Sequence, residues 1–370
     1  MLCCALSASC SVTRNSGAVK SISALKFLDE YVIPLNSSFA GTTIGGLSGI
    51  DYDKKTDSYF IISDDRSFTG PARFYRARLI IRDDKIDSLA FLSVHALKRP
   101  GGALYPSFKQ DPHHTPDPEG IRFDSRKLTW CSEGDKAVRE KQMVYQDPYI
   151  FEMDTTGNFL DSFLIPANLK MQAAEKGPRE NGALEGITIS PDRRWLFASM
   201  EEPIHEDGPL AQLDYAGAPV RITKFDRKTR KPVAQYAYLL ESLARAPNPA
   251  SGFFINGVDE ILALDNHRML VMERSFSVGS QQNTIRIFLA DLLQATDVIN
   301  TTGLHKKPPF KPVVKSLLLN LDSLGFMIDN LEGICFGPQL SNGHQSLVLI
   351  ADNNFSQNQV GQVMLFEIIP

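Results

Sequence analysis

Short apolar runs separated by polar turns make up most of this 370-residue chain, and one kind of run returns at a nearly constant spacing. It reads Leu47-Ser48-Gly49-Ile50, Pro118-Glu119-Gly120-Ile121, Leu184-Glu185-Gly186-Ile187, Leu331-Glu332-Gly333-Ile334 and, in altered form, Val258-Asp259-Glu260-Ile261. The glycine-aligned positions 49, 120, 186, 260 and 333 lie 71, 66, 74 and 73 residues apart. A regular period that fills the chain is the mark of a repeat architecture. After a short turn each repeat adds a second apolar run that closes on an acid: Phe60 to Asp64, Thr129 to Glu133, Phe197 to Glu201, Leu270 to Glu273 and Val348 to Asp352.

Further runs complete four strands in each of the first four repeats, with Arg73–Ile81 and Ile86–Leu97 finishing the first. The fifth repeat supplies three strands, Gly333–Phe336, Ser346–Ala351 and Gln362–Ile368, while Leu25–Leu35 forms a surplus strand near the start. Pairing the surplus strand with the incomplete sheet closes a ring and removes an open edge. The expected fold is therefore all-β: a five-bladed β-propeller over residues 24–370, with four strands per blade. In such a blade the loops joining strands one to two and three to four share a face, and most of them are tight. Most long connections, such as 98–118, 133–148, 166–184 and 202–219, fall on the other face. A long connection on the tight-loop face, 291–312, is expected to carry a short helix at Leu292–Thr296.

Composition narrows the function. A net charge of −4 with no basic block argues against nucleic acid. No apolar run reaches the length of a membrane span. Cys131 and Cys335 fall in apolar strands of different repeats and are expected as buried thiols. Residues 1–23 form a separate leader; Cys3, Cys4 and Cys10 crowd its start in a pattern that loosely fits an export signal with a lipidated cysteine. The alternative is a disordered cytosolic leader.

Antiparallel pairing puts the start of strand one beside the end of strand two. Five repeats then set two rings of oxygen ligands at one mouth of the channel. Ser48, Glu119, Glu185, Asp259 and Glu332 form the first; Asp64, Glu133, Glu201, Glu273 and Asp352 form the second. So many carboxylates repel one another, by about 4 kcal/mol per pair at 4 Å and an effective dielectric near 20. Protonation or a shared cation relieves this, and hard oxygen donors in a roomy ring suit Ca²⁺ rather than Zn²⁺. The competing expectation is that the acids cap loops, most of all in the second ring. Asp65, Arg66 and Arg274 adjoin the rings, and paired arginines clamp phosphate or carboxylate oxygens. His113, His114 and His205 lie in the long loops as candidate acids. No nucleophile elbow, phosphate-binding loop or zinc helix motif is present.

The repeated Glu-Gly-Ile, together with Ser63-Asp64-Asp65-Arg66, Met200-Glu201-Glu202-Pro203, Met272-Glu273-Arg274-Ser275 and Ala351-Asp352-Asn353-Asn354, resembles the bacterial phytase-like family with esterase-like activity. The resemblance runs from about residue 40 to the C-terminus and implies an exported, often lipid-anchored propeller. The ring order and the Asp64-Asp65-Arg66 corner also resemble the calcium-activated nucleotidases (apyrases), which implies a five-bladed propeller with an axial calcium. Asp259 stands where that family tends to have serine, and Ser67-Phe68 where it has Thr-Gly.

The expected activity is calcium-dependent hydrolysis of small phosphoric esters by a monomer of the exported compartment. In it Ser48, Glu119, Glu185, Asp259 and Glu332 hold the metal, Asp64 or Glu201 acts as base, and Arg66 and Arg274 steady the phosphate. The alternatives are a non-catalytic propeller that binds a glycan or a partner protein, and a lactonase-type hydrolase of carboxylic esters.

Overall fold

The computed structural model describes residues 21–139, 142–280, 282–305 and 309–370; the leader expected over 1–23, with Cys3, Cys4 and Cys10, falls outside these but for its last three residues. Five four-stranded antiparallel sheets stand around an axis. Blade one is built from Leu47–Asp53, Ser58–Ser63, Arg73–Arg82 and Lys85–Ala96, counted from the axis outward. The inner strands of blades two to five are Pro118–Asp124, Leu184–Ile189, Phe254–Ala263 and Asn330–Gln339. Each touches the inner strand of the next blade, and Asn330–Gln339 returns to Leu47–Asp53.

Blade five is closed as expected. Ala24–Ile33 pairs antiparallel with Gly361–Ile369, from Ala24 opposite Ile369 to Ile33 opposite Gly361. One apolar layer fills each gap between blades. Phe60 and Ile62 face blade two, whereas Tyr59 and Ile61 on the same strand face blade five. Both faces of every sheet are thus buried, which is why the second strands read as unbroken apolar runs rather than as alternation. Cys131 and Cys335 are buried free thiols within these layers.

Two connections differ from expectation. The loop after Glu133 contains a hairpin, Asp135–Arg139 paired with Gln142–Gln146. The segment Leu292–Thr296 forms turns rather than a helix. Its continuation lies along the outer strand of blade three, where the Val298 and Val313 amides donate to the Gln235 and Ala237 carbonyls at 2.8 and 2.9 Å. Backbone pairing and the buried Val298 and Leu304 cover an edge that would otherwise be open, and this outweighs the weak helical tendency of the segment. Among the described residues no helix is long and apolar enough to cross a membrane.

Candidate metal centre at the channel mouth

In all five blades the ladder between the inner and second strands is interrupted at the repeated motif. The breaks fall between Leu47 and Gly49, Pro118 and Ile121, Leu184 and Ile187, Val258 and Glu260, and Leu331 and Gly333. Ser48, Glu119, Glu185, Asp259 and Glu332 therefore occupy β-bulges, which turn a side chain off the regular pleat. The adjoining glycine lets the next blade come close: a Cβ on Gly49 would lie 2.6 Å from the Glu119 carbonyl oxygen and 2.9 Å from the Ile121 nitrogen.

Blade four has Glu260 at that glycine position, and its carboxylate is used. Glu260 pairs with Arg122 at 2.7 Å, both side chains being buried. It also accepts from the Ile187 and Ile261 amides at 2.9 and 3.0 Å. Arg122 in turn donates to the carbonyls of Ile50 and Ile261. The altered motif thus supplies a cross-brace that ties the inner strands of blades one to four beneath the acidic mouth. Burial pushes Glu260 up to about 8, although Arg122 and the two amides pull the other way.

The second ring needs a one-residue correction. Asp64, Glu133 and Glu201 donate their amides to the carbonyls of Gly46, Asp117 and Ala183, and Asp352 lies opposite Asn330. The residue in the same position of blade four, opposite Gly257, is Arg274 and not Glu273. A shift of one along a strand reverses the face, so Glu273 points outward, where it accepts from the Tyr238 hydroxyl and Lys315, both at 2.6 Å. The ring is four acids and an arginine.

These side chains meet in a cavity of 570 Å³ whose walls include Asp64, Glu119, Glu185, Glu332 and Arg274. The expected convergence of Glu119, Glu185 and Glu332 is present. Asp64 and these three glutamates are half-buried, whereas Glu133 and Glu201 are buried. Arg274 lies 3.0 Å from Glu201, 2.8 Å from Asp259 and 3.8 Å from Glu332. Burial opposes its charge, but Asp259, Glu332 and Glu201 more than offset that. Burial, then mutual repulsion, lifts the acids far above the carboxylate range: Asp64 against Asp352 and Glu332, Glu119 against Glu185 and Asp117, and Glu185 against Glu201 and Glu133.

The other expected residues occupy different places. The Ser48 hydroxyl donates to the Pro118 and Glu119 carbonyls, each at 3.2 Å, and so joins blades one and two. Asp65 accepts from the amides of Phe68, Thr69 and Gly70 and pairs with buried Arg73 at 2.6 Å. Its lone pairs are spent on shaping the loop. Arg66 lies over the Phe108 ring and holds Asp135 at 2.8 Å and Asp117 at 3.4 Å. None of His113, His114 and His205 lines the cavity. Loop capping describes Glu133 in part, since its Oε1 accepts from the Ala183 amide at 2.8 Å.

Two groups of acids bring ligand oxygens within 4.8 Å of one another: Asp117, Glu119 and Glu133, and Glu133, Glu185 and Glu201. The donors are all hard oxygens. Glu201 is fully buried, and its Oε2 has no hydrogen-bond partner among the described residues. An unpaired buried carboxylate oxygen is costly unless a cation meets it, so these residues fit a calcium-type ion. Asp117 is the site residue that the repeat alignment alone passed over. The signal lay two places before the motif acid, where Asp117 and Asn330 match Gly46, Ala183 and Gly257. Two of these are glycine for a reason: a Cβ on Gly46 would lie 2.0 Å from Asp64 Oδ1, and one on Gly257 2.5 Å from Glu201 Cγ.

A family model described as phytase-like, with esterase-like activity of phytase, matches residues 42–355. No curated protein matches the chain. Among solved structures, an alpha-L-arabinofuranosidase from Lactobacillus brevis is 11% identical, with 90% of this chain and 92% of that chain covered and a TM-score of 0.44. A periplasmic gluconolactonase from Pseudomonas aeruginosa is 12% identical, with 94% and 97% covered and a TM-score of 0.35. The Dos1 propeller is 9% identical, with 87% and 68% covered and a TM-score of 0.32. Likenesses this low carry no argument about activity.

Proposed function

From the premise that this chain belongs to the phytase-like family described by esterase-like activity, we propose that its acidic mouth is a calcium-dependent active site for hydrolysis of small phosphoric esters. The observation that carries the reading is the convergence of Asp117, Glu119, Glu133, Glu185 and Glu201, with one buried oxygen of Glu201 unmet. These residues would hold the ion, with Glu332 and Asp259 at its margin. A bound divalent cation supplies polarisation of the phosphoryl oxygen and a lowered pKa for water. Asp64 is the better base of the two expected, because Glu201 is committed to Arg274 whereas Asp64 faces the cavity. Burial, then Asp352 and Glu332, raise its pKa, which makes its carboxylate the stronger proton acceptor. Arg274 and Arg66 act as positioning residues that hold Glu201 and Asp117. The far wall, with Phe253, Phe276, Gln282, Asn283 and Gln359, offers apolar surface and amides to the rest of the substrate. An exported location with abundant calcium suits weak extracellular-type sites.

One observation favours a carboxylic ester as a second reading. Both arginines at the site are engaged by acids, which leaves a neutral ester easier to seat than a multiply charged one. Purified protein is to be assayed on phosphomonoesters, phosphodiesters, lactones and aryl carboxylic esters, with calcium and with chelator. Turnover of phosphoric esters that chelator abolishes and calcium restores is expected, and Asp64→Asn should lower kcat by about 10²–10⁴. Turnover of carboxylic esters alone selects the second reading. Silence on every substrate overturns both and leaves a binding propeller.

A further inference from the structure

We propose that the mouth holds two divalent cations bridged by Glu133; this rests on the metal-dependent reading above and extends it. The two triads share Glu133 but do not merge into one group within 4.8 Å. Calcium–oxygen distances of about 2.3–2.6 Å let one ion span either triad as it stands. Two ions on either side of a shared carboxylate satisfy all five acids.

The independent observation is Glu201. It is fully buried, Arg274 reaches only its Oε1, and Oε2 has no partner among the described residues. A single ion in the Asp117 triad leaves that oxygen unmet. A single ion in the Glu185 triad leaves the Asp117 and Glu119 carboxylates pressed together, with Arg66 3.4 Å from Asp117. Glu133 is built to bridge. The Ala183 amide fixes its Oε1, and the acids that press on it most are Asp117 from one triad and Glu201 from the other.

Charge points the same way. With every acid ionised, the five triad acids, Asp64, Asp259, Glu332, Asp352 and the Asp135 that Arg66 holds make ten carboxylates against the guanidiniums of Arg66 and Arg274. Ten less two leaves eight negative charges; one divalent ion leaves six, and a second leaves four. Paired metals about 3.5–4 Å apart can also contact both the attacking and the leaving oxygen of a displacement.

The test uses the full chain, stripped with chelator, titrated with calcium chloride by calorimetry and analysed for bound calcium after dialysis. Two calcium ions per chain are expected. Glu201→Gln and Asp117→Asn should each retain one ion, and Glu133→Gln should weaken binding of both at least tenfold; circular dichroism confirms that each variant is folded. One ion per chain in the unaltered protein overturns the bridged pair and leaves the proposed function standing. No bound calcium overturns both. Two ions retained in folded Glu133→Gln with unchanged affinity overturns the bridge.

Discussion

Arg274 and Glu260 show how far a single residue can depart from its repeat and still serve it. Each stands where the other blades place a different type, and each meets the charge that surrounds it. Arg274 replaces a fourth-blade acid and binds Glu201 and Asp259. Glu260 replaces a glycine and fills the space with an ion pair to Arg122. That pair is almost fully enclosed, so removing one partner leaves a buried charge met only by backbone dipoles. Arg122→Met should cost about 3–5 kcal/mol of stability, and adding Glu260→Gln should recover most of the loss. Urea unfolding of the single and double variants measures this; a double variant no more stable than the single would remove the pair from the account.

At the scale of the element, the bulge does the positioning. A regular strand would send Glu119 or Glu185 into the layer between blades. The interrupted ladder, with glycine beside it, turns the acid toward the cavity while the next inner strand packs against the gap. Gly49 is the tightest test, because a Cβ there meets backbone atoms of blade two that cannot swing away. Gly49→Ala should destabilise the protein by about 1–3 kcal/mol through overpacking and weaken calcium binding through displacement of Glu119. Thermal unfolding and calcium titration would show it; an unchanged midpoint would mean that the blades are free to separate there.

Across the whole molecule, the mouth couples stability to pH and to metal. Burial raises Glu201 and Asp352 to about 8 and Glu202 to about 7, and Asp64, Glu119, Glu133 and Glu185 move the same way. The unfolded chain releases these protons near pH 4, so between the two ranges the folded state binds more protons than the unfolded one. Stability then falls as pH rises. The contribution is whole below about pH 4.5 and lost on passing about 8. In chelator, the melting temperature should decline from pH 5 to pH 8.5. Saturating calcium should flatten that decline, because the ion favours the deprotonated acids. A melting temperature that climbs with pH in chelator would rule out the buried acids as its source.

The sequence alone determined the number of blades, the closing strand and the place of the motif in each blade, because each is a periodic property. Five occurrences of one motif, and a missing strand matched by the run Leu25–Leu35, need no knowledge of contacts. It did not determine which acids share an ion. Asp117 joins Glu119 and Glu133 only because the second strand of blade two runs back beside the first, and Arg274 rather than Glu273 faces the axis because pairing register, not motif spelling, selects the face. Ser48 gives its hydroxyl proton to carbonyls of blade two, and Asp65 spends its oxygens on loop amides and Arg73, which only packing could decide. Period is local and survives in one dimension; the meeting of charges from different blades exists only once the ring has closed.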